Sequence, residues 1–215
     1  MAKILLTAGP TRAYLDEVRY LSNASSGRMA KALAEAALAR GHSVTIVSGP
    51  VPVRYPARAR VIPVVTTAEM LGASLEELPG CDGVIAAAAP CDFEPVQRVA
   101  GKIPRLGAGL TLELKATTDV IATLARRQRP GQWFVAFALE PGADPERAFA
   151  KITAKRCDLI VVNDVTALEA DENAVAVYDA AHRHVGSKRA SKRAVAGWLV
   201  RLVEQRLVAR GSRAV

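Results

Sequence analysis

The first 48 residues of the chain predict a strand, a long loop, a helix and a second strand, in that order. Residues 3–8 are a short apolar run ended by Gly9-Pro10, a pattern typical of a buried parallel strand that enters a loop. Apolar residues then recur at helical spacing from Arg28 to Arg40, and a second apolar run follows at Val44–Val47. A βαβ unit of this kind needs a right-handed crossover between parallel strands. The pattern therefore predicts an α/β domain.

The remaining sequence continues this alternation of strands and helices. Strands are predicted at residues 61–65, 82–89, 110–114, 133–138 and 159–162, a hairpin-like pair at 174–178 and 184–185, and helices at 68–78, 119–127, 144–156 and 191–209. Residues 96–109 lack helical periodicity and are predicted to form a flap or hairpin arm. The expected fold is a single three-layer Rossmann-like α/β domain over residues 1–210, with a mostly parallel sheet, followed by a frayed tail at 211–215.

Local signals refine the predicted element ends. Pro63 lies inside its strand and lacks a backbone donor, which favours an edge or irregular position in the sheet. Thr67 is predicted to cap the helix that begins at residue 68, and Thr117 or Thr118 to cap the helix that begins at residue 119.

Composition narrows the class of protein. Half of the 215 residues are hydrophobic but only 5% are aromatic, which favours a core of small aliphatic side chains in layered α/β packing. No apolar run approaches the roughly 18 residues of a membrane span and no charged-then-apolar leader precedes the first strand, so a cytoplasmic protein with no membrane partner is expected. The net charge is +8, but no basic run carries interleaved aromatic residues, and no nucleic-acid partner is predicted.

The three cysteines and three histidines give little basis for a metal centre. Cys81, Cys91 and Cys157 are odd in number and lack metal-ligand spacing, so they are interpreted as reduced thiols. Cys91 lies in a candidate site loop, but no histidine in its motif could activate it as a nucleophile, and it is interpreted as a packing residue.

The stretch Arg19–Ala30 is the first candidate for function. It brings Ser25-Ser26-Gly27 directly to the start of the first helix. Backbone N–H groups and the positive end of the helix dipole make such a junction a natural anion site. The same residues also fit an ordinary helix start, with Ser25 or Ser26 as the N-cap. The preceding loop, residues 12–26, is longer than most strand-to-helix connections, which favours a functional role.

Dinucleotide binding is the first alternative, because a strand, a loop with glycines and a helix follow one another. Gly9 and Gly27 do not give the G-x-G-x-x-G fingerprint. The second strand runs into Ser48-Gly49-Pro50 and lacks the acid that would hold a ribose hydroxyl. An NAD(P)-binding, reductase-like protein therefore stays open only as a minor alternative. The P-loop pattern G-x-x-x-x-G-K-[ST] does not occur.

Short motifs follow one another along almost the whole chain. They are Thr7-Ala8-Gly9-Pro10-Thr11-Arg12, Arg19-Tyr20-Leu21-Ser22-Asn23, Ser25-Ser26-Gly27, Val47-Ser48-Gly49-Pro50, Ala86-Ala87-Ala88, Asp92-Phe93, Lys102-Ile103, Asn163-Asp164-Val165 and Ser191-Lys192. Each motif is weak alone, but the ordered set resembles phosphopantothenate–cysteine ligase, the phosphopantothenoylcysteine synthetase of coenzyme A biosynthesis. The similarity runs from Lys3 to about Val203.

This resemblance implies a two-step ligation with Mg²⁺ assisting. The carboxylate of 4′-phosphopantothenate attacks the α-phosphate of CTP to give an acyl-cytidylate and pyrophosphate, and the amine of L-cysteine then displaces CMP. The resemblance also implies a homodimer, which we expect to form through the late strands of the sheet. Many family members are fused to a flavin-dependent decarboxylase, so a separate decarboxylase partner is possible.

The resemblance assigns roles to single residues. Asn23 is matched to an asparagine that engages the acyl carbonyl or carboxylate, and Lys102 to a flap lysine that closes over the reacting phosphate. Metal ligands are not assigned. The residues matched to substrate and nucleotide contacts are Arg19, Ser25, Ser26, Gly27, Ala86, Ala87, Ala88, Asp92, Thr118, Asp119, Val120, Ile121, Phe137, Lys151 and Lys155.

Simpler structural interpretations stay open for several of these residues. Asp92 also fits a loop-capping turn, Phe137 a core aromatic residue, and Lys151 with Lys155 a solvated helix face. The sequence departs from the family pattern at Pro90, Pro104, Thr117 and Leu139. These departures leave open a diverged relative that uses another nucleotide or acid, and the sequence does not distinguish CTP from ATP.

Overall fold

An eight-stranded sheet forms the centre of the structure, a computed structural model that describes residues 1–105, 107, 109–140, 145–164 and 172–209. Numbered in chain order with the four short strands described below, its strands are β1 (Lys3–Ala8), β4 (Ser43–Ser48), β5 (Arg60–Pro63), β6 (Gly83–Ala86), β9 (Trp133–Leu139), β10 (Leu159–Asn163), β11 (Glu172–Asp179) and β12 (His184–Ser191). Their spatial order is β12-β11-β10-β9-β6-β1-β4-β5. The six strands from β10 to β5 are parallel, whereas β11 and β12 pair antiparallel. The predicted mostly parallel sheet is confirmed, with the proline-bearing β5 at one edge.

Two small hairpins stand outside the sheet. One pairs β2 (Arg12–Tyr14) with β3 (Tyr20–Ser22) inside the long loop before the first helix. The other pairs β7 (Phe93–Pro95) with β8 (Leu114–Ala116) and forms the base of the predicted arm. The strand predicted at residues 110–114 is wrong, because ladder pairing begins only at Leu114, the last residue of that prediction.

Five α-helices cover the sheet in the described residues. They are α1 (Arg28–Ala39), α2 (Thr67–Glu77), α3 (Val120–Ala125), α4 (Pro145–Lys155) and α5 (Lys192–Val203), the last continued by a π-helical turn over Glu204–Val208. Helices α1 and α5 pack on one face over a core that includes Leu33 and Leu199. Helices α2, α3 and α4 pack on the other face over Met70, Leu124 and Ile152. This arrangement is the expected three-layer architecture.

The predicted caps are wrong by one or two residues. Thr66 caps α2, because its backbone is extended and its hydroxyl accepts the Glu69 N–H at 3.2 Å, while the Glu69 carboxylate reaches back to complete a capping box. Asp119 caps α3 by accepting the Ala122 N–H at 3.0 Å. The two neighbouring threonines, Thr67 and Thr117, use their hydroxyls inside the fold instead.

Some sequence predictions fall outside the described residues. These are Val165 of the Asn163-Asp164-Val165 motif and the tail at 211–215. Across the described ranges, every helix is too short or too polar to reach from one side of a lipid bilayer to the other.

Candidate functional site

A cleft with two connected cavities lies at the carboxyl ends of the parallel strands. The larger cavity, about 410 Å³, is bounded by residues 23–30 and by the segment after β6. The carboxyl ends of β9 and β10 and the start of the antiparallel β11 complete its lining on the sheet side. The smaller cavity, about 120 Å³, lies between the ends of β6 and β9 and the start of α3. The lining that both cavities share is Ala88, Pro90, Asp92, Phe137 and Lys155. This edge is where open α/β sheets bind ligands.

The start of α1 differs from the predicted serine cap. Gly27 itself is the N-cap, in the left-handed conformation with φ of 73°, and no side chain of the described residues caps the helix. A Cβ at this position would lie 2.9 Å from Cγ1 of Val51 and 3.2 Å from the Tyr55 hydroxyl. Glycine is therefore required by both backbone and space. Ser25 and Ser26 line the cleft instead of capping α1, so the first turn of the helix stays open toward the larger cavity.

Tyr55 forms the wall behind Gly27. Its hydroxyl lies 2.9 Å from Oγ of Ser48 at the end of β4. Burial raises the pKa of the Tyr55 hydroxyl, and the weaker opposing effect of the Ser48 hydrogen bond does not reverse this. The wall is therefore neutral at physiological pH, and an anion at the α1 terminus meets no negative charge from this side.

Asn23 ties the two sides of the cleft together. Its amide nitrogen donates to the backbone oxygens of Ala89, at 3.1 Å, and Pro90, at 2.9 Å. Both amide hydrogens are thereby used, so in this state the side chain does not also donate to an acyl oxygen. Asn23 is thus placed at the cleft, and a donor role for it requires exchange of one of these bonds.

Two lysines one turn apart on α4 line the larger cavity. Lys151 pairs with the Glu140 carboxylate at 2.5 Å, and Glu140 is only 3% exposed. Lys155 pairs with the Asp119 carboxylate at 3.3 Å. Each lysine is held toward the cleft by an acid, so their face is more than a solvated helix surface. An anionic ligand would compete with these two carboxylates for the ammonium groups.

The smaller cavity collects the remaining residues that the resemblance matches to nucleotide contacts. They come from the end of β6, the following loop, the start of α3 and the end of β9. The residues are Ala86, Ala88, Asp92, Thr118, Asp119, Val120, Ile121 and Phe137. Ala87 lines the larger cavity. Phe137 packs partly against the core and also lines the cleft, so both interpretations of this residue apply.

Arg19 and Lys102 are not among the lining residues of either cavity. Arg19 donates from Nη2 to the backbone oxygen of Ile103 at 2.7 Å, which makes it a clamp on the arm. Asp16, wholly buried, accepts the N–H groups of Val18 and Arg19 at 2.7 Å each and that of Ile103 at 3.0 Å. The arm is thus anchored one residue beyond Lys102, whose own side chain is exposed.

Asp16 makes this anchor sensitive to pH. Burial alone raises the pKa of the Asp16 carboxyl, but the three backbone donors and the Arg19 charge outweigh it, and the net pKa lies below the ordinary 3.8. A lowered folded pKa adds stability that is complete above the unfolded value and is lost as the pH falls through the folded value. We therefore expect the arm to loosen only below about pH 4.

Asp16→Asn should loosen the arm at neutral pH. Amide exchange of residues 99–103, followed by mass spectrometry at pH 7, is expected to rise about tenfold, because asparagine keeps only one of the two acceptor oxygens and the bonds that remain are no longer charge-assisted. Asp179→Asn is the matched control, since Asp179 also has a lowered pKa but accepts its bonds in the β11–β12 hairpin. Equal exchange of the arm in the wild type and in Asp16→Asn would contradict this anchor.

Sequence reasoning missed part of the cleft. Asn163, Asn173 and Lys192 line the far end of the larger cavity. Asn163 and Lys192 lie in motifs that carry the resemblance, and that signal could have assigned them to the site. Asn173 has no such signal, because it is an inward residue of a strand that reaches the cleft only through the antiparallel pairing of β11 with β10.

The cysteines are structural. All three are buried and free. Burial raises the pKa of Cys81 to about 11 and that of Cys157 to about 12, so both are thiols at physiological pH. Cys91 donates from Sγ to the Thr11 carbonyl at 3.3 Å. Among the described residues, no group of three or more His, Cys, Asp or Glu side chains is arranged to hold a metal ion.

The sheet order and the cleft at its carboxyl edge define a Rossmann-like α/β domain. The model of the DNA/pantothenate metabolism flavoprotein C-terminal domain matches residues 1–207. The chain therefore belongs to this family, and the resemblance read from its motifs is confirmed at the level of the family.

Three similar proteins illustrate the relationship. The coenzyme A biosynthesis bifunctional protein CoaBC of Bacillus subtilis is 41% identical over 180 residues, which is 81% of this chain and 44% of that protein. A cysteine/cysteine sulfinic acid decarboxylase from an unknown prokaryotic organism is 41% identical over 164 residues, 76% of this chain and 46% of that protein. The crystal structure of the C-terminal domain of a CoaBC superposes with a TM-score of 0.80 at 30% identity, covering 96% of this chain and 98% of that one. The chain thus spans about half the length of the curated relatives it matches.

Proposed function

We propose that this domain joins L-cysteine to 4′-phosphopantothenate through an acyl-cytidylate made from CTP, as a step of coenzyme A biosynthesis. One observation carries the proposal. Elements far apart in the chain bring most of the residues implied by the resemblance to one cleft at the carboxyl edge of the sheet. The CoaBC name of the Bacillus subtilis relative supports the same pathway.

The two cavities divide the substrates by chemistry. The open first turn of α1 and the lysine pair of α4 suit the triphosphate, because backbone donors and ammonium groups both stabilise phosphate oxygens. The smaller cavity, with apolar walls and the carboxylates of Asp92 and Asp119, suits the base and ribose. The acyl substrate would then lie beside Asn23, between the triphosphate and the loop after β6.

The chemistry demands positioning and charge neutralisation more than a protein nucleophile. The phosphopantothenate carboxylate attacks the α-phosphate and pyrophosphate leaves; the cysteine amine then attacks the acyl carbon and CMP leaves. Lys151 and Lys155 would leave their carboxylate partners to neutralise the departing phosphates. Asn23 would exchange one backbone partner for the acyl oxygen, where an amide adds no competing charge.

Mg²⁺ fits the donor set of the cleft. This ion takes one or two carboxylates and otherwise holds waters and substrate phosphates, so a three-acid cluster is not needed. Asp92, Asp119 and Glu140 supply carboxylates at or beside the cleft. When bound, the ion would neutralise charge on the phosphates.

Lys102 would act only after the arm moves or with a second copy of the chain. Its neighbour Ile103 is anchored on Asp16 and Arg19, outside both cavities.

We propose a homodimer, as the resemblance implies, and a cytoplasmic location, as the composition predicts. The resemblance leaves open whether a decarboxylase is fused to this domain or is a separate partner. β12 lies at the edge of the sheet, where it could pair with β12 of a second copy, as expected for the late strands. The arm is a second candidate surface for a dimer, because it exposes apolar side chains such as Phe93 and Val96. If size-exclusion chromatography with light scattering shows only monomer, the homodimer proposal is wrong.

Pyrophosphate release tests the reaction. The purified chain with CTP, Mg²⁺, phosphopantothenate and cysteine should release pyrophosphate and form phosphopantothenoylcysteine, which mass spectrometry detects. Omitting phosphopantothenate should abolish the release. Carbon dioxide release from cysteine sulfinate, the activity named for one relative, should be absent.

A thermal-shift panel separates the alternatives. CTP with Mg²⁺ should raise the melting temperature more than ATP or NAD(P)H does, because the ligand that binds the folded state most tightly stabilises it most at equal concentration. A larger shift with ATP, or with another acid in the assay, would indicate a diverged relative. A shift with NAD(P)H and none with CTP would favour the reductase-like alternative and contradict the proposal.

A further inference from the structure

We propose that Thr11 is a positioning residue that holds the Cys91-Asp92 loop in the shape that binds the nucleotide. It lies outside both cavities, in the turn after β1, and is wholly buried. The inference rests on the proposed function for its kinetic consequence, and on the hydrogen bonds of this structure for its geometry.

The Thr11 hydroxyl closes a ring of hydrogen bonds around the Cys91 peptide groups. The Cys91 N–H donates to Oγ1 of Thr11 at 2.8 Å. Oγ1 of Thr11 lies 2.8 Å from Oγ1 of Thr67, and the Thr67 hydroxyl donates to the Cys91 carbonyl at 3.4 Å. Either hydroxyl can be the donor between the two threonines, and when the Thr67 proton is given to the Cys91 carbonyl the Thr11 hydroxyl donates to Thr67. Two hydroxyls in series, those of Thr11 and Thr67, thus link the N–H and the carbonyl of a single cleft residue.

A second contact extends the ring to the start of α3. The Thr117 hydroxyl donates to the same Cys91 carbonyl at 2.6 Å, and the Thr117 N–H donates to the Asp92 carbonyl at 2.9 Å. Asp92 lines both cavities, and residues 117–121 line the smaller one. The ring therefore fixes two walls of the proposed nucleoside cavity relative to each other.

The Thr11 backbone holds the opposite wall. Its carbonyl accepts the Ser22 hydroxyl at 2.8 Å, one residue before Asn23, and also accepts Sγ–H of Cys91 at 3.3 Å. Residue 11 is thus bonded to both loops that Asn23 bridges. A change of the Thr11 side chain removes only the hydrogen bonds of its hydroxyl, because the bonds from Ser22 and Cys91 go to the Thr11 backbone carbonyl.

Removing the hydroxyl should weaken nucleotide binding more than turnover. Thr11→Val keeps the shape but leaves the buried Cys91 N–H without its acceptor, which favours a shifted loop. We expect the KM for CTP to rise about 10- to 100-fold, and kcat to change by less than about threefold, because Thr11 touches neither substrate nor reacting atoms. Thr11→Ser keeps the hydroxyl and should restore the KM to within about threefold of the wild type.

Two measurements keep the inference testable whatever the assay shows. The melting temperatures of Thr11→Val and Thr11→Ser show whether each variant is folded. Amide exchange at residues 89–93 should be faster in Thr11→Val than in Thr11→Ser. Equal KM and equal exchange in the two variants, or a valine effect on kcat alone, would overturn the inference. If the wild type releases no pyrophosphate, the proposed function fails, and the exchange comparison alone decides the geometry.

Discussion

Asn23→Ala is expected to lower pyrophosphate release with CTP, phosphopantothenate and cysteine by about 10²- to 10³-fold, as the loss of one donor to developing charge does in other acyl-transfer sites. The same change leaves the Ala89 and Pro90 carbonyls without their shared donor, so the loop after β6 should also become more mobile. Steady-state rates measured with saturating substrates separate this loss from weaker binding.

Asn23→Asp is the matched variant for this prediction. It keeps the size of the side chain but replaces the NH₂ group, which donates both bonds, with one acceptor oxygen that faces two carbonyl oxygens. We expect activity at least as low as that of the alanine variant, together with a lower melting temperature. If the alanine variant is folded and turns over at the wild-type rate, the acyl-site role of Asn23 is wrong. Asn23 would then only join two loops through its hydrogen bonds to the Ala89 and Pro90 carbonyls.

Gly49→Ala is expected to have the largest effect on stability. A Cβ at Gly49 would lie 1.6 Å from the backbone oxygen of Pro10, and the Gly49 N–H donates to Ala8 at 3.0 Å. The obstacle is backbone, which cannot rotate away as a side chain can, so the ends of β1 and β4 must separate. We expect a loss of at least about 3 kcal/mol in the free energy of unfolding, measured by urea denaturation.

Gly72→Ala is the internal control for Gly49→Ala. Gly72 lies within α2, and a Cβ there would meet no atom of the described residues within 4 Å, apart from its chain neighbours and the nearby backbone of its own helix. The change should stabilise the protein by about 0.5–1 kcal/mol, since alanine is the better helix former. Similar effects of the two changes would show that the close approach of Pro10 is relieved without cost and would contradict the prediction.

Gly49 also bears on the NAD alternative. The position directly after β4 has no room for any side chain, because the turn after β1 passes over it. A carboxylate that holds a ribose in NAD-binding folds is therefore excluded at this residue for steric reasons.

The regular elements were largely predictable. The ends of β1 were predicted to the residue, and the ends of α1, β4, β9 and β10 to within one residue. Each of these elements carries a continuous apolar run or a helical stripe that is local in sequence, and most of their inward residues pack in one of the two cores. The parallel sheet followed from the same local pattern, since a helix between two strands allows few topologies.

The caps and the arm were harder for a physical reason. Whether Thr66 or Thr67, and Asp119 or Thr118, caps a helix depends on which residue has extended backbone, and neighbouring cap formers are equivalent in a sequence. The role of Arg19 as an arm clamp depends on Ile103, 84 residues away. No local signal reports such a pairing.

The sequence by itself determined the α/β class and the family, and it predicted the candidate site at the carboxyl ends of the strands, because apolar periodicity and ordered motifs are properties of the chain. Only the tertiary structure decided which motif residues meet in one cleft and which lie outside it. Arg19 and Lys102 lie outside: Arg19 binds the arm through the Ile103 carbonyl, and Lys102 is part of the arm. Only the tertiary structure could show that Gly27 is the N-cap of α1 beside the cleft and that the buried Thr11 hydroxyl accepts the Cys91 N–H. These are distances between residues remote in the chain, and packing of the folded backbone alone sets them.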